Sequence, residues 1–522
     1  MQKPAQSAYV VLILLALMVV VPMASLVKVG LWSESSGVDT VFWQSHYLRS
    51  VFFFSLWQAF LSTLLSVGLA LAVARAFARL GQFPCRNLLL RLFGLPLVVP
   101  AVVAVLGIVS VYGSDGWAPL GRDLYGLNGI LLAHLFFNLP LAVRLLLPAW
   151  FSIPEQHWQL GQQLQFTQMQ QWRYLEWPAL RESLPGVCLL IFMLCLTSFA
   201  VVLTLGGGPK STTLEVAIYQ SLRFDFDPLQ AVMLALLQFM LCAIIAFINL
   251  HWQKLPEVEI MLPSQAVSAS KSNRQFDFLL IFLSTLFIAT PLLALLFDGL
   301  TGPVIRVLSH IELWRSAALS VAIGLVSAVI SVVTGWLILR TTSDLIYLNR
   351  VRFAASLELS AQVIYVVPPL VLGTGLFILI MSYLDVFAWA IPIVILINAL
   401  MGLPFVIRAL GPPMRQSKMR YRRLCESLSL SGWHRFKLIE WPMLRRPIGL
   451  AMALVTALAM GDLGVIALFG TPETTTLPLM LYHQLAAYLM DEAAVTAIFL
   501  LSACLLMFWL LERLLGGRQP VW

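Results

Sequence analysis

The chain has 522 residues, 60% of them hydrophobic and 11% charged, against roughly 45–50% apolar and about 25% charged in an average soluble protein. That excludes an ordinary soluble enzyme and a disordered chain, and leaves a polytopic α-helical membrane protein: twelve spans of about 20 residues would occupy close to half the chain. The net charge of +8 reports topology and not a nucleic-acid partner, because Lys and Arg gather on one side of the expected membrane while the acids occupy both.

The first apolar run, Tyr9 to Leu26, reads as an uncleaved helix that starts inside, since eleven more follow. The runs fall at 8–27, 52–74, 92–113, 129–150, 184–206, 229–251, 277–298, 316–338, 359–383, 387–410, 447–470 and 493–512. After the second run come Arg75, Arg79, Arg86 and Arg91 with no acid among them, which puts that loop in the cytoplasm. The stretch from Pro447 to Glu512 has no Lys or Arg but carries Asp462, Glu473, Asp491 and Glu492, so the loop there lies outside. Both termini are then cytoplasmic. The six cysteines show no CxxC spacing, and neither a disulfide framework nor a metal site is indicated.

The chain repeats itself after about half its length. Leu139-Pro140, Arg144 and Pro148 return 264 residues later as Leu403-Pro404, Arg408 and Pro412, and Glu176-Trp177-Pro178 returns at the same offset as Glu440-Trp441-Pro442. Ser55, Ser62, Ser66 and Arg75 match Ser320, Ser327, Ser331 and Arg340 at 265; Val99-Pro100 and Gly107 match Val367-Pro368 and Gly375 at 268. Thr212-Thr213-Leu214 and Tyr219 match Thr475-Thr476-Leu477 and Tyr482 at 263. Matches in Pro, Arg, Trp, Ser and Thr, kept in order, are not what chance gives between Leu-rich helices. An even number of spans per repeat makes the halves parallel, related by an axis along the membrane normal. The expected fold is therefore an all-α membrane protein of about 12 transmembrane helices in two parallel-related six-helix repeats. A first transmembrane domain spans 1–252 with a long loop at 151–183, a cytoplasmic linker spans 253–276, and a second domain spans 277–522 with a long loop at 411–446.

In the second half the long loop reads as a short amphipathic helix, a small-residue turn from Ser429 to Gly432, a second helical turn and a terminating proline. It resembles the EAA loop of ABC importer permeases, in which E-A-A is followed after three residues by G and after nine more by I-x-L-P. On that spacing Ile439 and Pro442 match the end, while Arg423, Leu424, Cys425 and Ser429 stand in place of E, A, A and G. The first half offers Gln159, Leu160, Gly161 and Gln165 at those positions, with Leu175 and Pro178 at the end. Ten Lys or Arg against Glu426 and Glu440 between Arg408 and Arg446 would also suit anionic headgroups, although that does not account for a second copy of the loop.

With both loops in hand, the chain resembles the thiamine ABC transporter permeases of Gram-negative bacteria, a family of fused double permeases. The resemblance is carried by Phe54 to Ser62, by Gly129 to Pro140, by Ala200 to Pro209 with its Leu-Gly-Gly-Gly-Pro ending, by Ala217 to Gln220 and by Gly461 to Gly470. It implies the type I ABC importer permease fold, location in the bacterial inner membrane, and a complex with a cytoplasmic ABC ATPase dimer and a periplasmic thiamine-binding protein. The cargo would be thiamine, with its phosphates an open question. No cofactor is expected in this chain, ATP and Mg being held by the partner ATPase.

Asp462, flanked by Gly461 and Gly464 within the eleventh run, is an ionisable group at membrane depth and so a candidate for the cargo pathway. A carboxylate there can pair with a fixed thiazolium charge, or it can satisfy backbone N–H groups freed where glycines loosen the helix. Ser198 is its repeat partner. Trp389 and Tyr365 are aromatics at a similar level, suited to cation–π contact or to packing. His134 reads as a hydrogen-bonded core residue, and Arg144 and Arg408 as snorkelling or loop-holding residues. The run Thr204 to Ser211 is not a phosphate loop, because Pro209 stands where G-x-x-x-x-G-K needs Gly; it reads as a turn on the outer side. A secondary transporter with twelve spans is the alternative class, and would need several intramembrane carboxylates where Asp462 alone is evident.

Overall fold

The structure, a computed structural model, describes residues 6–32, 45–81, 83–114, 116–252, 274–347, 350, 353–354, 357–358, 366–428 and 432–516. Most of the linker segment, Tyr365 and Ser429 lie outside these residues. Among them there is helix and turn but no strand.

The first half of the chain runs through α1 (Gln6–Trp32), α2 (His46–Leu80), α3 (Arg86–Leu92), α4 (Ala101–Tyr112), α5 (Leu127–Phe151), α6 (Glu155–Gln163), α7 (Trp177–Leu196), α8 (Ala200–Leu205), α9 (Leu214–Arg223) and α10 (Pro228–Trp252). The second runs through α11 (Arg274–Thr301), α12 (Ile311–Tyr347), α13 (Pro369–Met381), α14 (Ala390–Ser427), α15 (Trp441–Met460), α16 (Gly464–Phe469), α17 (Leu477–Ala486) and α18 (Met490–Gly516). Nine helices among the described residues are long and apolar enough to cross a membrane, or ten with a bent pair counted as one; Leu15–Val29 and Pro369–Met381 are shorter apolar pieces. The molecule is a multi-pass α-helical membrane protein.

Three of the expected runs are not single rods. Run 92–113 turns through 111° between α3 with its 3-10 extension and α4, because Pro96 and Pro100 deny the chain backbone donors and bias the residues before them away from helix. Runs 184–206 and 447–470 break at Thr197–Phe199 and at Gly461–Leu463. The loop 411–446 also departs from expectation. In the first half Pro154 stops α5 and α6 starts afresh, whereas Lys418 holds the equivalent position in the second half and α14 continues unbroken to Ser427.

Packing rests on small and hydroxylated residues, which let membrane helices approach closely. Helix α2 turns Ser55, Ala59, Ser62, Ser66 and Ala70 inward against α5 and α7, and α12 does the same with Ser320, Ser327 and Ser331 against α14 and α15. The first helix of each half packs on the other half as well as on the last helix of its own. Helix α1 lies on α13, where a Cβ on Gly375 would come within 2.8 Å of the Pro22 carbonyl oxygen, and Ser25 donates to the Gly375 carbonyl at 3.0 Å. Helix α11 lies on α4, where a Cβ on Gly107 would come within 2.5 Å of the Pro291 carbonyl oxygen. The two contacts are equivalent under the repeat.

Candidate functional site: two loops and a seam cavity

In the first loop, α6 is followed by a turn, a short helix at Gln168–Gln171, a π-helical turn at Trp172–Glu176 and then α7. Gln165 adopts a left-handed backbone with φ 52°, so the conformation that glycine would supply at this position is kept without the glycine. Gly161 is buried, and a Cβ there would meet both Leu175 and Phe166 at 3.2 Å, which brings the two arms of the hairpin together. Thr167 and Gln170 form a reciprocal capping box that starts the return arm. Pro178 sits in the first turn of α7, where no intrahelical donor is lost. Gln159 and Leu160 face outward, the latter 53% exposed.

The second loop repeats the π-helical turn at Phe436–Glu440, which holds Ile439, and Pro442 opens α15. Arg423, Leu424 and Cys425 lie on the last turns of α14, with Leu424 exposed and Cys425 buried, and Gly432 begins a short helix. Exposed apolar pairs recur at the same offset, Leu160 with Leu164 and Leu424 with Leu428. One helical turn apart within each pair, they make a small greasy patch on each loop.

The loops are anchored by different chemistry. Glu176, 1% exposed, accepts from Arg75 at 2.7 and 2.9 Å and from the Trp150 indole at 3.1 Å, with Arg79 at 3.8 Å, while Arg75 also lies over Trp172 at 4.9 Å. In the second half Glu440 pairs with its neighbour Arg435 at 3.0 Å, and Arg340 stacks over Trp336. The tie to the bundle comes instead from Lys418, which reaches Asp344 at 2.5 Å and the Arg340 carbonyl at 3.0 Å. Asp344 occupies the repeat position of Arg79, so the sign of this charge is reversed between the halves.

Ser198 and Asp462 meet at one cavity of about 220 Å³ on the seam between the halves, walled also by Ala101 of α4, Pro369 and Leu370 of α13, and Phe199. Asp462 lies in the break between α15 and α16. Its Oδ1 accepts from the Gly464 N–H at 3.1 Å, while its Oδ2 is buried and makes no hydrogen bond of good geometry among the described residues, with the Val465 N–H and the Asn398 amide close to the carboxylate. The carboxylate therefore caps the freed backbone with one oxygen only. Trp389 is half exposed and is not part of the cavity wall. His134 is buried, its Nδ1 bonded to Ser62 at 2.9 Å, as expected of a core histidine. Arg144 is half-buried and its guanidinium covers Gly94, whereas Arg408 is exposed, so the two do not share one environment.

One residue escaped sequence reasoning. Glu215, 1% exposed, lines the same cavity and accepts from Gln238 at 2.6 Å. It lies on α9, between apolar runs and near Lys210, Arg223 and Asp225, and so reads as loop. The available signal was the Thr-Thr-Leu repeat at its start: the Leu214 N–H is held by Ser55 at 2.9 Å, and the Leu477 N–H by Ser320 at 2.9 Å.

Paired loops, paired helix breaks and a seam cavity with two acids on its wall mark a multi-pass membrane protein built of two equivalent halves. The thiamine transport system permease protein ThiP of Brucella abortus (strain 2308) is 42% identical over 508 residues, covering 95% of this chain and 93% of its own length. That of Escherichia coli (strain K12) is 42% identical over 509 residues, covering 95% of each, and that of Haemophilus influenzae 39% over 477, covering 88% of each. No protein-family model matches the chain. At this identity over nearly the full length, the chain belongs to the family of thiamine transport system permeases, transporter subunits and not enzymes.

Proposed function

We propose that this chain is the permease subunit of an ATP-driven importer that carries thiamine from the periplasm to the cytoplasm across the bacterial inner membrane, with both termini cytoplasmic. The observation that carries the reading is the seam cavity, whose wall includes Ser198 and Asp462 from equivalent helix breaks of the two halves. A carboxylate with a spare oxygen suits a cargo that bears a fixed positive charge, and Ser198 offers a hydroxyl to its polar groups. The halves correspond to domains 1–252 and 277–522 joined by the 253–276 linker. The loops at 151–183 and 411–446 each seat in one copy of a cytoplasmic ABC ATPase, which binds ATP and Mg. Contact runs through Gln159, Leu160, Gly161, Gln165, Leu175 and Pro178 on one loop, and through Arg423, Leu424, Cys425, Ser429, Gly432, Ile439 and Pro442 on the other. The exposed leucine pairs support this, since apolar patches on charged loops mark partner sites. A periplasmic thiamine-binding protein delivers the cargo. The cavity is small beside ligand pockets of roughly 300–1,000 Å³, so passage of a two-ring cargo requires the halves to part.

The test is uptake of labelled thiamine at nanomolar concentration into vesicles holding this chain, its ATPase and its binding protein. Saturable uptake that needs ATP is expected. Uptake of sulfate or ferric iron in place of thiamine by the same assembled complex would overturn the cargo and leave the permease.

A further inference from the structure

Two sets of equivalent positions differ between the halves, and of their four residues Ser198, Asp462 and Glu215 line the seam cavity. At the helix breaks stand Ser198 and Asp462; near the start of the short helices α9 and α17 stand Glu215 and Pro478. Each half therefore carries one acid, but at a different one of the two positions, so that the charges sit diagonally across the pseudo-two-fold. No Lys, Arg or His lines the cavity, and neither acid has an ion-pair partner among the described residues. Glu215 receives one neutral amide at 2.6 Å, and the Oδ2 of Asp462 makes no hydrogen bond of good geometry among the described residues, its carboxylate having only neutral donors near it, the Val465 N–H and the Asn398 amide. Unpaired charges at membrane depth are costly and mark ion and substrate pathways. Two buried acids thus line one cavity whose wall supplies no positive charge.

We propose that Glu215 is the second anionic contact for the cargo, so that a cation in the seam cavity is held between one carboxylate from each half and cation selectivity rests on the pair. This rests on the reading of that cavity as the cargo path. The placement of Glu215 supports the role. It lies in the first turn of α9, where the helix dipole favours a negative charge, and Gln238 of α10 fixes its orientation. Phe199, held edge-on to Tyr219 at 5.3 Å between ring centroids, gives the cavity an aromatic wall, which suits an aromatic cation. The competing role for Glu215 is a strut that pins α9 to α10 through Gln238. An amide at this position keeps the strut and removes the charge, which separates the two.

The experiment compares thiamine with an uncharged isostere whose thiazolium is replaced by thiophene, using the full complex in vesicles with the binding protein and ATPase unchanged. For Glu215→Gln the KM for thiamine should rise about tenfold or more, the scale of one close charge pair, while that for the isostere changes less than about twofold. Asp462→Asn should act in the same direction, and Glu215→Asp should restore most of the discrimination. A Glu215→Gln variant that shifts both compounds alike, or neither, overturns the inference and leaves the cargo reading intact. An unmodified complex that imports neither compound overturns the cargo reading and the inference together.

Discussion

Glu176 and Glu440 are the same residue of the repeat in two electrostatic settings, and their removal should cost different amounts. Glu176 is buried and holds a bidentate guanidinium together with an indole N–H; Glu176→Gln leaves Arg75 without its anion and should destabilise by about 3 kcal/mol. Glu440 makes its ion pair among the described residues with Arg435, a neighbour on its own loop whose side chain is partly exposed, and Glu440→Gln should cost less than about 1 kcal/mol. Denaturant titration of the two purified variants in one detergent checks the difference. Gln165 offers the reverse case. Its backbone is left-handed, a conformation a side chain disfavours, so Gln165→Gly should stabilise by roughly 0.5–1 kcal/mol, seen as slower proteolysis of the 151–183 loop.

The glycines on α4 and α13 act on whole helices. A Cβ on Gly107 would press within 2.5 Å of a backbone oxygen on α11 that no rotamer can move, so Gly107→Ala should destabilise by about 1–3 kcal/mol. Gly68 on α2 is the control, because nothing lies within 4 Å of a Cβ there and Gly68→Ala should stabilise by up to about 1 kcal/mol through helix propensity. Thermal unfolding of both variants in one detergent decides it. Elements were partly legible in the sequence. Apolar runs located the helices, and Pro154 against Lys418 was a visible difference that set where α5 stops and α14 continues. The 111° bend also had its prolines on show. The burial of α9 had little local signal, since its acid and its position between runs mimic a solvated loop, and only the repeated Thr-Thr-Leu at its start, which Ser55 of α2 tethers, points to packing inside.

Across the whole molecule, the repeat offsets already placed Ser198 and Asp462 at equivalent points, and equivalent points meet where an axis passes between the halves; the seam cavity was legible to that extent. The exchange of first helices was not, because contacts between Pro22 and Gly375 or between Pro291 and Gly107 join segments that no periodicity links. The exchange makes each half incomplete alone. A chain divided within the linker should therefore yield two fragments that are each degraded or aggregated when expressed singly, and that assemble into an active permease when expressed together. Co-purification through a tag on one fragment, with thiamine uptake as the second readout, checks this.

The exchange also imposes an order on biosynthesis. Helix α11 finds α4 already made, but α1 must wait for its seat on α13, 350 residues downstream of Ser25. At roughly 5–20 residues per second that is a delay of about 20–70 s, during which α1 has α10 and then α12 to pack on but not its seat on α13. Its composition fits the wait: from Gln6 to Val27 it carries no charge, and the Ser25 hydroxyl already has an acceptor within its own helix at the Pro22 carbonyl, 2.7 Å away. Nothing on the helix needs its neighbour until the neighbour arrives.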